Sequence, residues 1–145
     1  MSYVVRKATA ADALQIQHFN AKTGIDHISP ESDWSSFLIG ENEDKDFVSM
    51  IRIQTISERI GLFRSLVVDT KVITPLFILE FMEATLYYAK EIGLTDIFIL
   101  TSRENLFLQS LGFKKVNPHL LPQVLTETKV VKDHLEKSLP VLMMK

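Results

Sequence analysis

The chain has 145 residues, the size of one compact domain spanning 1–145 and too short for two. It is 46% hydrophobic and 23% charged, which excludes a disordered chain and supplies enough apolar side chains for a buried core. Sixteen Lys+Arg against 18 Asp+Glu leave a formal charge of −2, without the basic surplus that grips a phosphate backbone, so no nucleic-acid partner is expected.

Without cysteine there is no disulfide framework, no thiolate zinc site and no cysteine nucleophile, and a reducing, cytoplasmic location is expected. Met1 to Leu14 lacks the apolar core of a secretory signal. The most apolar stretch, Leu76 to Ile92, is interrupted by Glu80, Glu83, Lys90 and Glu91, so no membrane association is expected.

In chain order, Tyr3 to Lys7 reads as a short strand, and Thr9 with Asp12 three residues on opens a helix carrying Leu14, Ile16 and Phe19. Gly24 marks a break. Ser29-Pro30 and Asp33 offer starts for a short second helix, whose apolar stripe Trp34, Phe37, Leu38, Ile39 stops at Gly40. The acidic run Glu41 to Asp46 is read as a solvated turn, since it lacks the glycine and terminal glutamate of a calcium loop. Phe47 to Gln54 alternates with period two and predicts a strand, which Ser57-Glu58 turn back into a deeply apolar strand, Ile60 to Asp69.

Thr74-Pro75 places a capping residue before a proline at the first helical position, and this helix runs to Gly93 with its polar residues on one narrow face. Asp96 to Thr101 is a second apolar strand. A helix between two buried strands makes a crossover, so the two strands are expected to lie parallel. A short helix from Arg103 to Leu111 closes at Gly112, Phe113 to Val116 begins a strand, Gln123 to Thr128 forms a helical turn, and Val141 to Met144 ends the chain as a strand. The class is α/β.

Several of these segments together resemble the core of the GNAT superfamily, the Gcn5-related N-acetyltransferases. Arg64-Ser65-Leu66-Val67-Val68-Asp69 is similar to that family's central strand. Leu100-Thr101 and Phe107-Leu108-Gln109-Ser110-Leu111-Gly112-Phe113 are similar to its later strand, short helix and Leu-Gly-Phe ending. Lys7-Ala8-Thr9 with Asp12 matches the family's opening. Pro122, Thr128, Pro140 and Val141-Leu142-Met143-Met144-Lys145 resemble the branch of amino-acid N-acetyltransferases and those of arsenic-resistance operons.

The resemblance implies a mixed central sheet of about six to seven strands flanked by helices, with a splayed parallel pair. It also implies transfer of an acetyl group from acetyl-CoA to a small amine or amino acid. The pantetheine arm would run along Leu66, Val67 and Val68 and meet Thr101, and the diphosphate would sit on the loop carrying Ile73, Thr74, Leu76, Phe77 and Ile78. A backbone amide near Val67 or Val68 would polarise the thioester carbonyl.

That loop departs from the family pattern. Thr74, Leu76 and Ile78 stand where glycines would admit a phosphate, Ile73 replaces a basic or polar residue, and Pro75 has no N–H to offer. Lys71 and Arg103 are left to supply positive charge. Two lost charge-assisted hydrogen bonds, at roughly 1.5–3 kcal/mol each, weaken cofactor binding by roughly two to four decades. Leu108 occupies the position at which family members place a tyrosine acid.

Ser65 is read as orienting an amine or water, against the alternative of a packed strand hydroxyl. Its neighbour Arg64 is read as a clamp for a substrate carboxylate, against an ion pair with Glu58. His18 and His27 flank the first helix, where the family builds its acceptor wall. His18 is assigned to amine deprotonation and His27 to substrate binding, against plain surface histidines. His119 and His134 have no partner at ligand spacing, and no metal is expected. Phe77, Phe81, Met82, Tyr87 and Tyr88 are read as core packing or a subunit interface, which leaves a homodimer open.

Two further readings stand beside the enzyme. One is a catalytically inactive GNAT-fold module, binding a ligand or a protein after losing tight CoA binding. The other is acyl transfer from a carrier-bound pantetheine.

Overall fold

The structure, a computed structural model, describes residues 3–21, 34–69, 71, 74–101 and 106–144, apart from the side chains of residues 20, 65, 106 and 107. The predicted break at Gly24, the helix starts at Ser29, Pro30 and Asp33, and the candidates His27, Ile73 and Arg103 lie outside the described residues. The chain groups into two compact units, Met1–Ile53 with Ser65–Tyr88, and Gln54–Arg64 with Ala89–Lys145.

The first unit opens with β1 (Val4–Lys7), a 3-10 turn Ala10–Asp12 and α1 (Ala13–Ala21). The predicted helix start is there: Asp12 Oδ2 accepts from the Thr9 amide at 2.8 Å and from the Thr9 hydroxyl at 3.2 Å. The same carboxylate takes a two-pronged grip from Arg6, Nη1 to Oδ2 and Nη2 to Oδ1, each at 2.8 Å, while Arg6 Nε reaches Glu41 Oε1 at 3.2 Å. Hydrogen bonds from Arg6 hold the Asp12 carboxyl down to about 2, against the upward pull of its burial.

A 3-10 turn, Trp34–Ser36, leads into β2 (Phe37–Glu41), which corrects the second helix expected through Trp34 and Ile39. β2 pairs antiparallel with β1 on one side and with β3 (Phe47–Thr55) on the other, and Phe37 to Gly40 are all buried. A continuous apolar run fits a helix stripe and a doubly covered strand equally well, and here pairing on both edges decides. Between β2 and β3 the acidic run is a tight turn. Asn42 Oδ1 accepts the amides of Asp44 at 2.9 Å and Asp46 at 3.0 Å, and Lys45 takes the left-handed conformation at φ 64°.

β4 (Ile60–Val68) and α2 (Pro75–Glu91) follow at the predicted places. A core of Ile16, Phe19, Phe37, Ile39, Met50 and Val67 holds the unit, each such side chain contributing about 1.5–3 kcal/mol on burial. Gly40 faces Ser49 and α2 with no room for a side chain, because an added Cβ would stand 2.9 Å from Phe77 Cζ.

The second unit continues with β5 (Asp96–Leu100), α3 (Leu106–Ser110), β6 (Lys114–Lys115), α4 (Gln123–Thr126), α5 (Lys129–Glu136) and β7 (Val141–Met144). β5 lies parallel to β4, with Ile60 opposite Asp96 through Phe63 opposite Ile99, as the crossover required. β7 is antiparallel to both β5 and β6. Leu62, Phe98, Leu121, Leu125, Val131 and Val141 form this unit's core. α5 has no counterpart among the expected elements. It buries Val131, with Val130 and Leu135 packed against the same core, an i, i+4 apolar pair in an eight-residue helix that the sequence reading passed over. Gly112, at φ 109°, stops α3 as the sequence required.

Within the first unit the strands lie in the order β1-β2-β3, and within the second in the order β4-β5-β7-β6, with helices between strands in each, the expected α/β class.

Candidate functional site

Within the first unit a cleft of about 530 Å³ opens between three walls. α1 presents Leu14, Gln15, His18 and Phe19, residues whose spacing of three and four puts them on one face. The β2–β3 turn contributes Asn42 and Asp46, the start of β3 contributes Phe47 and Val48, and Asp69 closes the set just past the end of β4.

Each polar group is placed by backbone structure. Asp46 is clipped to Asn42, whose amide donates to the Asp46 carbonyl at 3.0 Å while the Asp46 amide donates to Asn42 Oδ1 at 3.0 Å. The Asp69 amide donates to Val48 O at 2.9 Å, and its Oδ1 accepts the Lys71 amide at 3.1 Å. Its other oxygen, Oδ2, has no partner among the described residues. Phe19 and Phe47 meet edge to face, centroids 6.3 Å apart, and give the cleft an apolar side. No lysine or arginine is among its described lining residues.

Of the residues singled out from sequence, His18 stands in this cleft, exposed on α1. Asn42, Asp46 and Asp69 were not anticipated. The acidic turn reads as a solvated connector, and only the pairing of β2 with β3 brings its far end beside α1; Asp69, directly after a central strand, carried the one legible signal.

Leu66, Val67 and Val68 lie in β4, with Val67 buried in the first unit's core and the other two half-buried. Among the described residues the β4–β5 ladder ends at Phe63 opposite Ile99, so β4 runs on from Arg64 to Val68 beyond it. Ser65 is in this stretch, its side chain outside the description. Arg64 does not pair with Glu58 as the ion-pair alternative expected; its Nη1 donates to Gln54 Oε1 at 3.2 Å, and its Nε is buried without a hydrogen-bond partner among the described residues. Thr101 follows β5 and gives its hydroxyl to Pro140 O at 3.5 Å.

Two amides at the start of α2 are engaged by Thr74. Thr74 Oγ1 accepts the Phe77 amide and Thr74 O accepts the Ile78 amide, both at 3.2 Å, and Pro75 contributes no N–H. Leu76 is 62% exposed, whereas the Phe77 ring is buried against Tyr3 and Phe81. Leu108, at the acid position of the family pattern, is buried in α3. Among the described residues no three His, Asp or Glu side chains are grouped to hold a metal ion, and no helix is long and apolar enough to cross a membrane.

The fold recurs in solved structures. N-acetylglutamate synthase from Neisseria gonorrhoeae, complexed with coenzyme A and N-acetyl-glutamate, matches 99% of the chain at 18% identity with a TM-score of 0.81. The chain spans only 35% of that protein's length. Rv2747 from Mycobacterium tuberculosis, in complex with CoA, matches over 97% of this chain and 98% of its own at 20% identity and TM-score 0.74. An acetyltransferase of the GNAT family from Staphylococcus aureus Mu50 matches over 98% of both chains at 11% identity and TM-score 0.73. No protein-family model matches the chain, and no curated protein does.

Proposed function

We propose that this chain, which has the fold of the GNAT acetyltransferases, transfers an acetyl group from acetyl-CoA to a small amine bound in the α1 cleft. The observation that carries the reading is His18 standing in that cleft beside the end of β4, in a fold whose solved examples include CoA complexes.

Acetyl-CoA supplies a thioester carbonyl and a thiolate leaving group. The chain's part is to hold the amine neutral and aimed. His18 takes the ammonium proton, which frees the nitrogen lone pair to attack the carbonyl carbon. The N–C bond forms, the C–S bond breaks, and the proton shed by nitrogen ends on the released thiol. The Leu66–Val68 stretch of β4 fits the pantetheine arm, because its backbone runs past the β5 ladder and has groups to pair with an amide-bearing chain. A main-chain amide there polarises the carbonyl, in place of a side-chain donor.

The helix start fits a diphosphate less well, since the Phe77 and Ile78 amides are engaged with Thr74. This favours one second reading, a module that keeps the cleft and binds its ligand without turnover.

Thermal unfolding of the full chain with millimolar acetyl-CoA, followed by mass analysis of an amine panel, separates the two. The enzyme reading expects a stabilised chain, one acetylated amine, and a kcat about a hundredfold lower in His18→Ala with acetyl-CoA binding unchanged. No stabilisation and no acetylated product would leave the binding module.

A further inference from the structure

We infer that two copies of this chain pair through the outer edge of β1 and the face of α2 that carries Glu80, Ala84 and Tyr87. This face shares no lining residue with the α1 cleft, so the pairing holds whether or not the chain transfers acetyl groups.

The strand sets the edge. β1 pairs with β2 on one side, and the Ala8 amide donates to Phe37 O at 2.9 Å. In an antiparallel ladder that bond fixes the phase: Arg6 and Ala8 turn their backbone groups toward β2, and Val5 and Lys7 turn theirs outward. The Val5 N–H and C=O have no partner among the described residues. The Lys7 carbonyl accepts from Arg6 Nη1 at 3.2 Å and has a second lone pair. Beside this edge lies a groove of about 300 Å³, whose lining includes Val5, Lys7, Ala84, Tyr87 and Tyr88. Tyr87 is 67% exposed, which leaves the groove open to a partner.

The charges select a second copy over an unrelated strand. Tyr3 meets Phe77 with ring centroids 4.3 Å apart, and Lys7 Nζ stands 5.2 Å from the Tyr88 centroid, so β1 and α2 run in the same direction along the groove. Glu80, Ala84 and Tyr87 recur at helical spacing and share one face of α2. Lys7 therefore marks the Tyr88 end of the groove and Glu80 lies nearer the Phe77 end, both exposed. A twofold axis near Arg6 and Ala84 turns one copy end for end. It sets Val5 opposite the partner's Lys7, outward groups against outward groups, and brings each Lys7 toward the partner's Glu80. Ala84 at the axis lets the two helices approach. An acidic strand from another protein would meet Glu80, and a basic one would meet Lys7. A sequence carrying both charges in the reverse order suits both ends, and a second copy of this chain is such a sequence. A four-residue edge does not hold two chains by itself, so the helix faces supply the rest of the contact.

Sedimentation equilibrium of the full chain between about 1 and 100 μM tests this, with the mass of two chains expected at the upper end. Lys7→Glu and Glu80→Lys should each weaken the dimer about tenfold, and both together in one chain should return it to within about threefold of the parent. Val5→Pro, which removes an outward N–H, should weaken it about tenfold or more. Thermal unfolding of each variant at about 1 μM checks that the single chain still folds, and the charge pair decides the matter if Val5→Pro does not.

A single-chain mass at about 100 μM overturns the inference and leaves the edge to a strand of another protein. A dimer indifferent to all three single changes overturns it as well, by placing the contact on another face. So does a double charge reversal that fails to recover, because the two charges then do not meet across the axis.

Discussion

The α1 cleft and the start of α2 both follow from β4, and they use their polar groups in opposite ways. At the start of α2 the Thr74 hydroxyl and carbonyl accept the Phe77 and Ile78 amides, and Pro75 has no N–H to present. In the cleft, Asp69 spends one carboxylate oxygen on the Lys71 amide and retains the other among the described residues. A helix start capped by its own threonine is folded whether or not an anion arrives, and an anion seeking the Phe77 amide would have to displace the Thr74 hydroxyl. A carboxylate held in place with an oxygen to spare gains from a ligand and loses nothing by waiting. Thr74 and Pro75 thus give the start of α2 contacts of its own, while the cleft keeps a carboxylate oxygen without a partner among the described residues.

The largest effect is expected where the self-capped turn meets the sheet. Gly40 in β2 lies against α2 so closely that an added Cβ would stand 2.9 Å from Phe77 Cζ, and it also meets the Ser49 hydroxyl. Gly40→Val should lower unfolding free energy by about 3 kcal/mol in a denaturant titration, by forcing Phe77 and the strand apart. Ser49→Ala should be neutral or stabilise by about 1 kcal/mol, because it removes a buried hydroxyl that has no hydrogen-bond partner among the described residues. A tolerated Gly40→Val would mean that the first turn of α2 can move freely on the sheet, and the contrast with the cleft would lose its rigid half.

A smaller effect separates the two regions by pH. The cleft's α1 wall is anchored through Asp12, whereas the α2 cap contains no charged group. Asp12 has its folded pKa near about 2 against an ordinary 3.8, so it binds its proton less readily in the folded chain. The corresponding stabilisation, about 2 kcal/mol, is fully present above pH 4–5 and disappears as the pH falls through about 2. Asp12→Asn should therefore cost about that much at neutral pH and cost nothing at the acid limit. Amide exchange should show α1 opening on acidification before the first turn of α2; simultaneous opening would show that the bridge does not govern the wall.

How much of this was legible follows the physics of each signal. Local rules carried the elements whose ends are marked by chemistry: Thr9 with Asp12, Thr74-Pro75, the glycines after α2 and α3, and the alternation from Phe47 to Gln54. The parallel pairing of β4 and β5 followed from connection length and handedness alone. The stretch Trp34 to Ile39 misled, because four consecutive buried residues in a doubly paired strand contain the spacing of a helix stripe by chance. α5 has a legible signal, Val131 and Leu135 four residues apart, but it is only two turns long and begins directly after the predicted helical turn that ends at Thr128. His18 was singled out from its place on the first helix, and the structure puts it in the lining of the α1 cleft. Asp46 was not singled out, since a cleft wall is assembled by strand pairing between positions far apart in sequence and no periodicity records it; Asp69 had only its place directly after a central strand to mark it.

The smallest expected effect bears most directly on why the two regions differ. Thr74→Gly removes the hydroxyl that occupies the Phe77 amide and opens the space its Cβ fills, while Leu76→Gly takes an exposed side chain off the approach to the helix start. Glycine at a capping position costs only a few tenths of a kcal/mol, so the doubly substituted chain should remain folded. If the self-made cap is what stands between the helix start and an anion, freeing one amide should tighten acetyl-CoA binding about tenfold by calorimetry, about 1.4 kcal/mol. The same double change should leave the thermal stability of the α1 cleft's unit, Met1–Ile53 with Ser65–Tyr88, within about 1 kcal/mol. A larger loss would show that the substitutions act through general loosening of the chain, and no gain for acetyl-CoA would show that neither the spent amide nor the crowding limits how the helix start meets a phosphate.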